Sequence, residues 1–547
     1  MKKIVLISVA LLLVSGCTFS GEIIPPIINE LQTGTVISPL LTATVDLNSL
    51  LQLQTLWISP AVPPDLAQAA LSYGIPAATN SDLATIRLDV DPDQIGSQTA
   101  GSTWIYVLVA PFPTLMDDIS VDELQRSWAG DVASSLAATP VWMDESTLAA
   151  MTAIWGDPSP ALSISITPKE KLLDSAWGRQ PSFAIIPFED IESQWKVLSI
   201  DGQSPLRKEF DPITYPVKVR FSLSGQAADQ FDFSLPVNNR DPQKLTTLVM
   251  TGVTALVRGT ALKMELNGRT YPGEAIRTWL VDADITHISN EIPFSPDCPY
   301  PDYYDHGLVF CSNPLNIELL DYIGTDIVEL TGNHFQDWGS AATLFTLDMY
   351  NQRNWPYFGG GANLVDARKS ITVEHNGNKL AFIGCNPAGP DFAWANETEP
   401  GASPCNWEWI KSELTRLISE GYIPIMTFQH FESYSAWPGP EQRTDFRMMA
   451  DAGAVIVSGS QAHLSQTMEF YEGSFIHYGL GNLFFDQMDF PVVGTRREFI
   501  DRHVFYNGKY INTELLTALL EDYSQPRPMT EEERVLFLSD IFVDSGW

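Results

Sequence analysis

The sequence predicts an α/β fold built from layers of sheets and helices. Short apolar runs typical of buried strands alternate along most of the chain with segments that carry helical start signals. Residues 103–110 are one such run, and Ser120 and Glu123 then form the pattern of a capping box. With 547 residues and 44% hydrophobic content, the chain has enough apolar surface for roughly two or three separate cores.

The N-terminus carries an export signal. Two lysines precede an apolar run from Ile4 to Val14, which is shorter than the roughly 20 residues that a membrane-spanning helix needs. The run ends in Val-Ser-Gly-Cys17, which resembles the lipobox of bacterial lipoproteins, where the cysteine is acylated and becomes the new N-terminus. We therefore predict a signal peptide over residues 1–17, a lipid on Cys17, and a position on the extracytoplasmic face of the cell membrane. The alternative is an ordinary cleaved signal with a chance cysteine.

We predict four further regions after the signal peptide. The segment that follows Cys17 is rich in Ile, Pro, Thr and Gly without a helical period, which is typical of a tether. Two long stretches with alternating strands and helices come next, and a polar Asn-Asn-Arg-Asp-Pro sequence at 238–242 lies between them. The predicted regions are a tether (18–47), an α/β domain (48–240), a second α/β domain (246–490) and a C-terminal extension (491–547).

The remaining cysteines fall into two close pairs. Export places them in an oxidising compartment, which favours disulfide bonds between Cys298 and Cys311 and between Cys385 and Cys405. A zinc site built from all four is the alternative, although neither pair has the short C-x-x-C spacing that zinc favours.

The charge of the chain excludes one class of partner. There are 32 Lys and Arg residues against 67 Asp and Glu residues, which gives a formal charge of −35. A field of this sign repels nucleic acid and other polyanions unless metal ions or a local basic cluster intervene. We therefore expect no nucleic-acid partner.

Polar side chains recur where apolar strands end in residues 246–490. Glu291, Asn333, His334, His430 and His463 all lie in such places. Binding sites of α/β folds collect at strand ends, because the sheet supplies rigidity there and the loops supply side chains. Asn, His and carboxylate groups together suit a divalent ion such as Zn, Mn or Fe. The alternative is that each histidine is a structural residue that hydrogen-bonds its neighbours.

Residues 246–490 resemble the CapA family of bacterial capsule and poly-γ-glutamate synthesis proteins. The resemblance rests on motifs that occur in the family's order, at 289–293, 333–339, 359–384, 430–466 and 473–487. It implies a calcineurin-like metallophosphatase fold, which is an αββα sandwich. It also implies a role in the synthesis, export or anchoring of an anionic polymer, in contact with the envelope biosynthesis machinery.

Two departures from the family bear on the metal site. The family has an aspartate at the end of the first strand, where this chain has Val253, and Gln461 stands where a further histidine is common. One divalent ion is therefore expected rather than two. The ligands that the resemblance implies are Glu291, Asn333, His334, His430 and His463.

Residues 48–240 show a looser resemblance to the type 2 periplasmic substrate-binding proteins, especially phosphate-binding ones. It rests on the stretches at 109–113, 119–130, 184–189 and 196–205. The alternative is a packing domain that binds no ligand.

Three functions are therefore predicted. The first is a lipid-anchored envelope protein that acts on an anionic capsular polymer such as poly-γ-glutamate. The second is a metal-dependent hydrolase of phosphoesters or amides, in which His334 and His430 are the catalytic groups that orient or protonate the leaving group. The third is an extracytoplasmic protein that binds a small anion through residues 48–240.

Overall fold

The computed structural model describes residues 54–92, 101–134, 136, 139–228, 233–304 and 307–547. The predicted signal peptide, the lipidation site at Cys17 and the tether lie outside the described residues. Within the described ranges, no helix combines the length and the apolar character that a membrane crossing requires.

The N-terminal part is built on one mixed sheet. Its strands run in the order β1-β2-β10-β3-β7-β5-β6, with β8 also paired to β3 and with β4 paired separately to β9. Those strands are β1 (Leu56–Ile58), β2 (Ile86–Val90), β3 (Gly101–Pro111), β4 (Asp118–Ile119), β5 (Val141–Met143), β6 (Ile164–Ile166), β7 (Phe183–Pro187), β8 (Trp195–Val197), β9 (Ser199–Ile200) and β10 (Lys218–Ser224). The predicted strand at 103–110 is the central, fully buried part of β3.

Two further sheets face each other in the C-terminal part. One has the order β15-β14-β13-β11-β25-β26-β27, and the other has the order β17-β18-β20-β21-β23-β22. Their strands, with the short β12, β16, β19 and β24, are β11 (Leu245–Thr251), β12 (Val253–Thr254), β13 (Ile285–Asn290), β14 (Ile327–Glu329), β15 (Tyr357–Phe358), β16 (Gly360–Gly361), β17 (Ile371–His375), β18 (Asn378–Cys385), β19 (Gly401–Ala402), β20 (Ile423–Ser433), β21 (Ile456–Ala462), β22 (Met468–Tyr471), β23 (Ser474–His477), β24 (Asn482–Phe484), β25 (Arg497–Tyr506), β26 (Lys509–Glu521) and β27 (Gln525–Pro528).

Helices cover the outer faces of the sheets. They are α1 (Pro64–Leu71), α2 (Val121–Trp128), α3 (Glu145–Trp155), α4 (Leu172–Trp177), α5 (Arg258–Asn267), α6 (Arg277–Val281), α7 (Ile317–Tyr322), α8 (Gly339–Arg353), α9 (Leu364–Ala367), α10 (Trp407–Ser419), α11 (Pro440–Asp451) and α12 (Glu531–Asp544). The helix predicted after Ser120 is α2, and the Ser120 side chain caps it by accepting a hydrogen bond from the backbone N–H of Glu123.

Side chains along the C-terminal strands point alternately to the two faces of each sheet, and this divides the C-terminal core into layers. Side chains such as Ile285, Ile327 and Phe382 fill the space between the two sheets. Their neighbours along the strands point outward and meet helices, as Ile288 does beside α7 and α8 and as Phe428 does beside α11. This arrangement is the layered αββα sandwich that the sequence predicts.

The C-terminal extension belongs to the sandwich and also contacts the N-terminal part. Strand β25 pairs antiparallel with the whole length of β11. Residues beyond 490 therefore complete the first sheet of the sandwich. Phe112 of the N-terminal part makes ring contacts with Phe542 and Trp547 at centroid distances of 6.4 and 5.7 Å. The Tyr506 hydroxyl accepts a hydrogen bond from the backbone N–H of Asp241. The described residues therefore form one compact unit.

Both predicted disulfide bonds are present. Cys298 is bonded to Cys311, and Cys385 at the end of β18 is bonded to Cys405 just before α10. The second bond thus closes the loop between β18 and α10 on the helix side of the second sheet.

Candidate functional site

The candidate site lies where parallel strands of the two facing sheets end. Glu291 follows β13, and Asn333 and His334 follow β14, while Gln429 lies near the end of β20 and His463 directly follows β21. Glu291, Gln429 and His463 are buried, whereas Asn333 and His334 are partly exposed. Solvent and ligands therefore reach the site from the side of Asn333 and His334.

Gln429 is the centre of the site. Its side-chain Nε2 donates hydrogen bonds to Glu291 Oε1 at 2.9 Å and to Asn333 Oδ1 at 3.0 Å. Its Oε1 accepts a hydrogen bond from the Ser460 hydroxyl at 3.0 Å. One carboxamide thus connects strand ends of both sheets through two buried hydrogen bonds and one partly buried hydrogen bond.

The two histidines of the site are oriented by partners on one ring nitrogen. His334 Nδ1 lies 2.6 Å from Asp337 Oδ2, and His463 Nδ1 lies 2.8 Å from Asn482 Oδ1. The His334 ring also contacts the Phe310 ring at a centroid distance of 4.5 Å. Because Nδ1 is engaged in both rings, Nε2 is the atom that each histidine can present to a ligand.

Burial and neighbouring charges determine the electrostatics of the site. Burial raises the pKa of Glu291, and the charges of His334 and His463 oppose this effect. Burial acts to lower the pKa of His334, but the hydrogen bond with Asp337 and the charge of Glu291 raise it overall. The environment therefore favours a protonated His334 at the partly exposed side of the site.

The structure does not bring His430 into this group. Residues in a strand alternate between faces, so His430 lies on the opposite face of β20 from its neighbour Gln429. His430 Nε2 lies 3.1 Å from Asp445 Oδ2 of α11, and its ring contacts Phe446 of the same helix. The structure thus places the His430 side chain apart from Glu291, with which the sequence analysis grouped it.

Sequence reasoning missed Gln429, although the strand pattern contained a signal. Ile425 lies in the core between the sheets and Phe428 lies on the helix side. With a period of two residues, the inward positions of β20 are therefore 425, 427 and 429. Applied to this strand, the alternation predicts Gln429 rather than His430 at the site.

The two departures from the family also fall in this region. Val253 is fully buried in an apolar cluster with Ile292, Phe310 and Phe485. Gln461 has a φ of 72°, in the left-handed region that non-glycine residues seldom adopt. Its buried Oε1 has no hydrogen-bond partner among the described residues. An apolar side chain thus occupies the first position, and the second holds a residue with an unfavourable backbone φ and an unpaired side-chain oxygen.

The side chains that are present do not complete a metal-binding set. Within the part of the chain that the structure describes, no group of three or more His, Cys, Asp or Glu side chains is placed to hold a metal ion. The Gln429 amide already donates to the oxygen atoms of Glu291 and Asn333, which were two of the predicted ligands. The arrangement is suited to hydrogen bonding and not to a five-ligand metal site.

Among solved structures, the chain is similar to a 5'-nucleotidase precursor from Thermus thermophilus and to an ABC-type phosphate transport receptor from Vibrio cholerae. The first has 14% identity and a TM-score of 0.32, and it covers 55% of this chain and 59% of that chain. The second has 10% identity and a TM-score of 0.27, and it covers 33% of this chain and 88% of that chain.

Curated relatives are similar to part of this chain. The capsule biosynthesis protein CapA of Bacillus anthracis is 26% identical over 259 residues, which are 46% of this chain and 62% of the relative. The PGA biosynthesis protein CapA of Bacillus subtilis (strain 168) is 30% identical over 178 residues, which are 32% of this chain and 47% of the relative. The chain thus spans only about half to three fifths of the length of these relatives.

The family comparison covers the sandwich except for its last strands, β25, β26 and β27. The model of the bacterial capsule synthesis protein PGA_cap matches residues 247–487. This range includes the candidate site and agrees with the predicted resemblance to CapA over residues 246–490. Residues 247–487 are therefore similar to the PGA_cap family of bacterial capsule synthesis proteins.

Proposed function

We propose that the protein takes part in the synthesis, export or anchoring of an anionic capsular polymer such as poly-γ-glutamate. The PGA_cap family match and the two CapA relatives support this role. We further propose that a lipid on Cys17 holds the protein on the extracytoplasmic face of the membrane, where such a polymer is assembled. The partners would then be the polymer and the envelope machinery that makes it.

The hydrogen bonds of Gln429 support a binding role for the site. A carboxamide that joins Glu291 and Asn333 leaves a polar centre whose groups donate and accept hydrogen bonds. A γ-linked glutamate polymer offers both amides and carboxylates, which are the groups that such a centre recognises. The partly exposed His334, with its raised pKa, adds a positive charge that attracts a carboxylate.

A pair of matched histidine substitutions tests this proposal. Affinity for short γ-linked glutamate oligomers is measured by isothermal titration calorimetry for the wild type, His334→Gln and His430→Gln. Loss of one charge-assisted hydrogen bond should weaken binding by about tenfold in His334→Gln. His430→Gln should bind like the wild type, because His430 faces α11 and not the site. Absence of binding by the wild type, or equal losses in both variants, would contradict the proposal.

Metal-dependent hydrolysis is the second candidate, and one observation favours it. His334 and His463 each have Nδ1 fixed by a polar partner, as metal-binding histidines usually do. One divalent ion (Mn, Zn or Fe) would then need both Nε2 atoms and a Glu291 carboxylate freed from Gln429. Stoichiometric metal in the purified protein, together with metal-dependent hydrolysis of phosphoesters, would favour this candidate over polymer binding.

A further inference from the structure

A second site lies far from the strand ends, between the N-terminal part and the C-terminal extension. A cavity of about 260 Å³ is bounded on one side by Phe112, Asp117 and Lys196, and on the other side by β26 and α12. Its walls combine aromatic and aliphatic side chains with buried ionic groups. Pockets of this composition between packed parts of a fold are typical of small-ligand sites.

The first ionic group, the Asp117 cluster, consists of Asp117, Lys196 and Arg534. Arg534 donates two hydrogen bonds to the carboxylate, at 2.6 Å from Nε and 2.8 Å from Nη2. Lys196 Nζ lies 2.6 Å from the same carboxylate and donates to the Thr114 carbonyl oxygen. Two cations thus share one carboxylate, so the Asp117 cluster has a net charge of one positive unit.

The second ionic group, the Glu514 cluster, consists of Glu514, Arg207 and Arg502. Arg207 Nη2 lies 3.1 Å from Glu514 Oε1, and Arg502 Nη1 lies 3.5 Å from Oε2. This cluster again pairs two cations with one carboxylate. Burial raises the pKa of Glu514, and the charges of Arg207 and Lys196 oppose this effect.

The excess positive charge of these clusters is costly in their surroundings. Only 15% of the Lys196 side chain and 4% of the Arg502 side chain are exposed. Burial lowers the pKa of Lys196 to about 8, and it still carries its charge at neutral pH. Two further carboxylates act on the clusters, Glu531 on Lys196 and Glu209 on Glu514, and both residues are exposed, so water screens them. Two cations that share one carboxylate leave one positive charge of each cluster without a counter-ion of its own, which is destabilising where the groups are shielded from water.

We propose that this cavity binds a small organic anion, namely a carboxylate with an apolar substituent. The carboxylate would lie between the Asp117 and Glu514 clusters and supply the missing negative charge. The apolar substituent would contact the wall formed by Phe112, Leu515 and Phe542. The site is independent of the polymer-binding proposal, because it shares no residue with the strand-end site.

Calorimetric titration with three probes tests the ligand class. Phenylacetate carries both features, phenylacetamide has the same shape without the charge, and inorganic phosphate has the charge without the apolar group. We expect phenylacetate to bind the full-length protein at least about tenfold more tightly than phenylacetamide, because the neutral amide cannot balance the positive charge of the clusters. Phosphate that binds more tightly than phenylacetate, or no binding of phenylacetate, would overturn the proposed ligand class.

Variants that each remove one positive charge from a cluster test where phenylacetate binds. Lys196→Met leaves the Asp117–Arg534 pair intact, and Arg207→Met leaves the Glu514–Arg502 pair intact, so both variants should fold. Each should weaken phenylacetate binding by about tenfold. Lys208→Met is the matched control, because Lys208 is exposed, pairs with Asp284 and does not line the cavity. Equal affinity in all variants, with native thermal unfolding, would overturn the proposed location.

Discussion

Replacement of Gln429 by leucine should destabilise the sandwich at its strand ends. The substitution keeps a side chain of similar size but removes three hydrogen bonds, of which those to Glu291 and Ser460 are buried and that to Asn333 is partly buried. An acceptor left unsatisfied in a buried site costs about 1–3 kcal/mol. Glu291 and Asn333 each lose one donor, and burial of the leucine side chain offsets about 1–2 kcal/mol of the loss. The expected decrease in the free energy of unfolding is therefore about 1–4 kcal/mol.

A double-mutant cycle with Glu291→Met separates the hydrogen bond from general packing effects. Unfolding is followed by circular dichroism in denaturant, and the coupling energy between the two substitutions should be about 1–3 kcal/mol. Gln442→Leu is the control, because Gln442 is also buried but bonds Gln466 and the Tyr478 carbonyl oxygen instead. Coupling of Gln429→Leu to Glu291→Met no larger than that of the control would refute the view that Gln429 holds the site together.

Three further predictions concern other parts of the chain. Cys17→Ser should move the protein from the membrane fraction to the soluble fraction, and a variant that still sediments with membranes would contradict lipidation at this residue. Loss of the Cys385–Cys405 bond, which spans 20 residues, should lower the free energy of unfolding by about 3 kcal/mol in denaturant titrations; no change would show that the loop is held by packing alone. Burial raises the pKa of Glu189 from 4.5 to about 7, so the folded protein keeps a proton that the unfolded chain releases. The free energy of unfolding should therefore fall by about 3 kcal/mol as the pH rises through this window. Glu189→Gln should flatten that slope, the exposed Glu170→Gln should not, and identical slopes in both variants would count against the assignment.

The layers of the fold could be predicted because local patterns and tertiary structure agree. Residues 103–110 read as a buried strand and form the centre of β3. Ser120 and Glu123 read as a helix start and cap α2. The two disulfide bonds followed from the spacing of the cysteines and the expected compartment. In each case the sequence signal is local, and the structure needs no distant residue to explain it.

The composition of the strand-end site could be predicted only in part. Glu291, Asn333, His334 and His463 were predicted from their positions at strand ends and from the resemblance to the CapA family, and the structure places them at those ends. The choice between Gln429 and His430 depends on which face of β20 looks inward. The sequence analysis chose His430 because histidine is a common metal ligand. The two-residue period of β20 instead places Gln429 in the strand-end site.

The cavity between the two parts could not be predicted from the sequence. Its ionic groups come from positions as distant as Asp117 and Arg534. No motif or local spacing links such residues, and charged residues of this kind usually lie on solvated surfaces. Only the packing of the C-terminal extension against the N-terminal part brings them together.

Hydrogen bonds of Gln429 connect Glu291, Asn333 and Ser460 in the strand-end site, and we propose that this arrangement needs no metal ion. The most direct test is the metal content of the purified, dialysed protein, measured by inductively coupled plasma mass spectrometry. Hydrolysis of bis(p-nitrophenyl) phosphate with added Mn²⁺ or Zn²⁺ is measured on the same sample. We expect the sample to contain substoichiometric Mn, Zn and Fe and to show no metal-stimulated hydrolysis. One tightly held equivalent of metal that supports turnover, and that is lost in His334→Gln or His463→Gln, would contradict it.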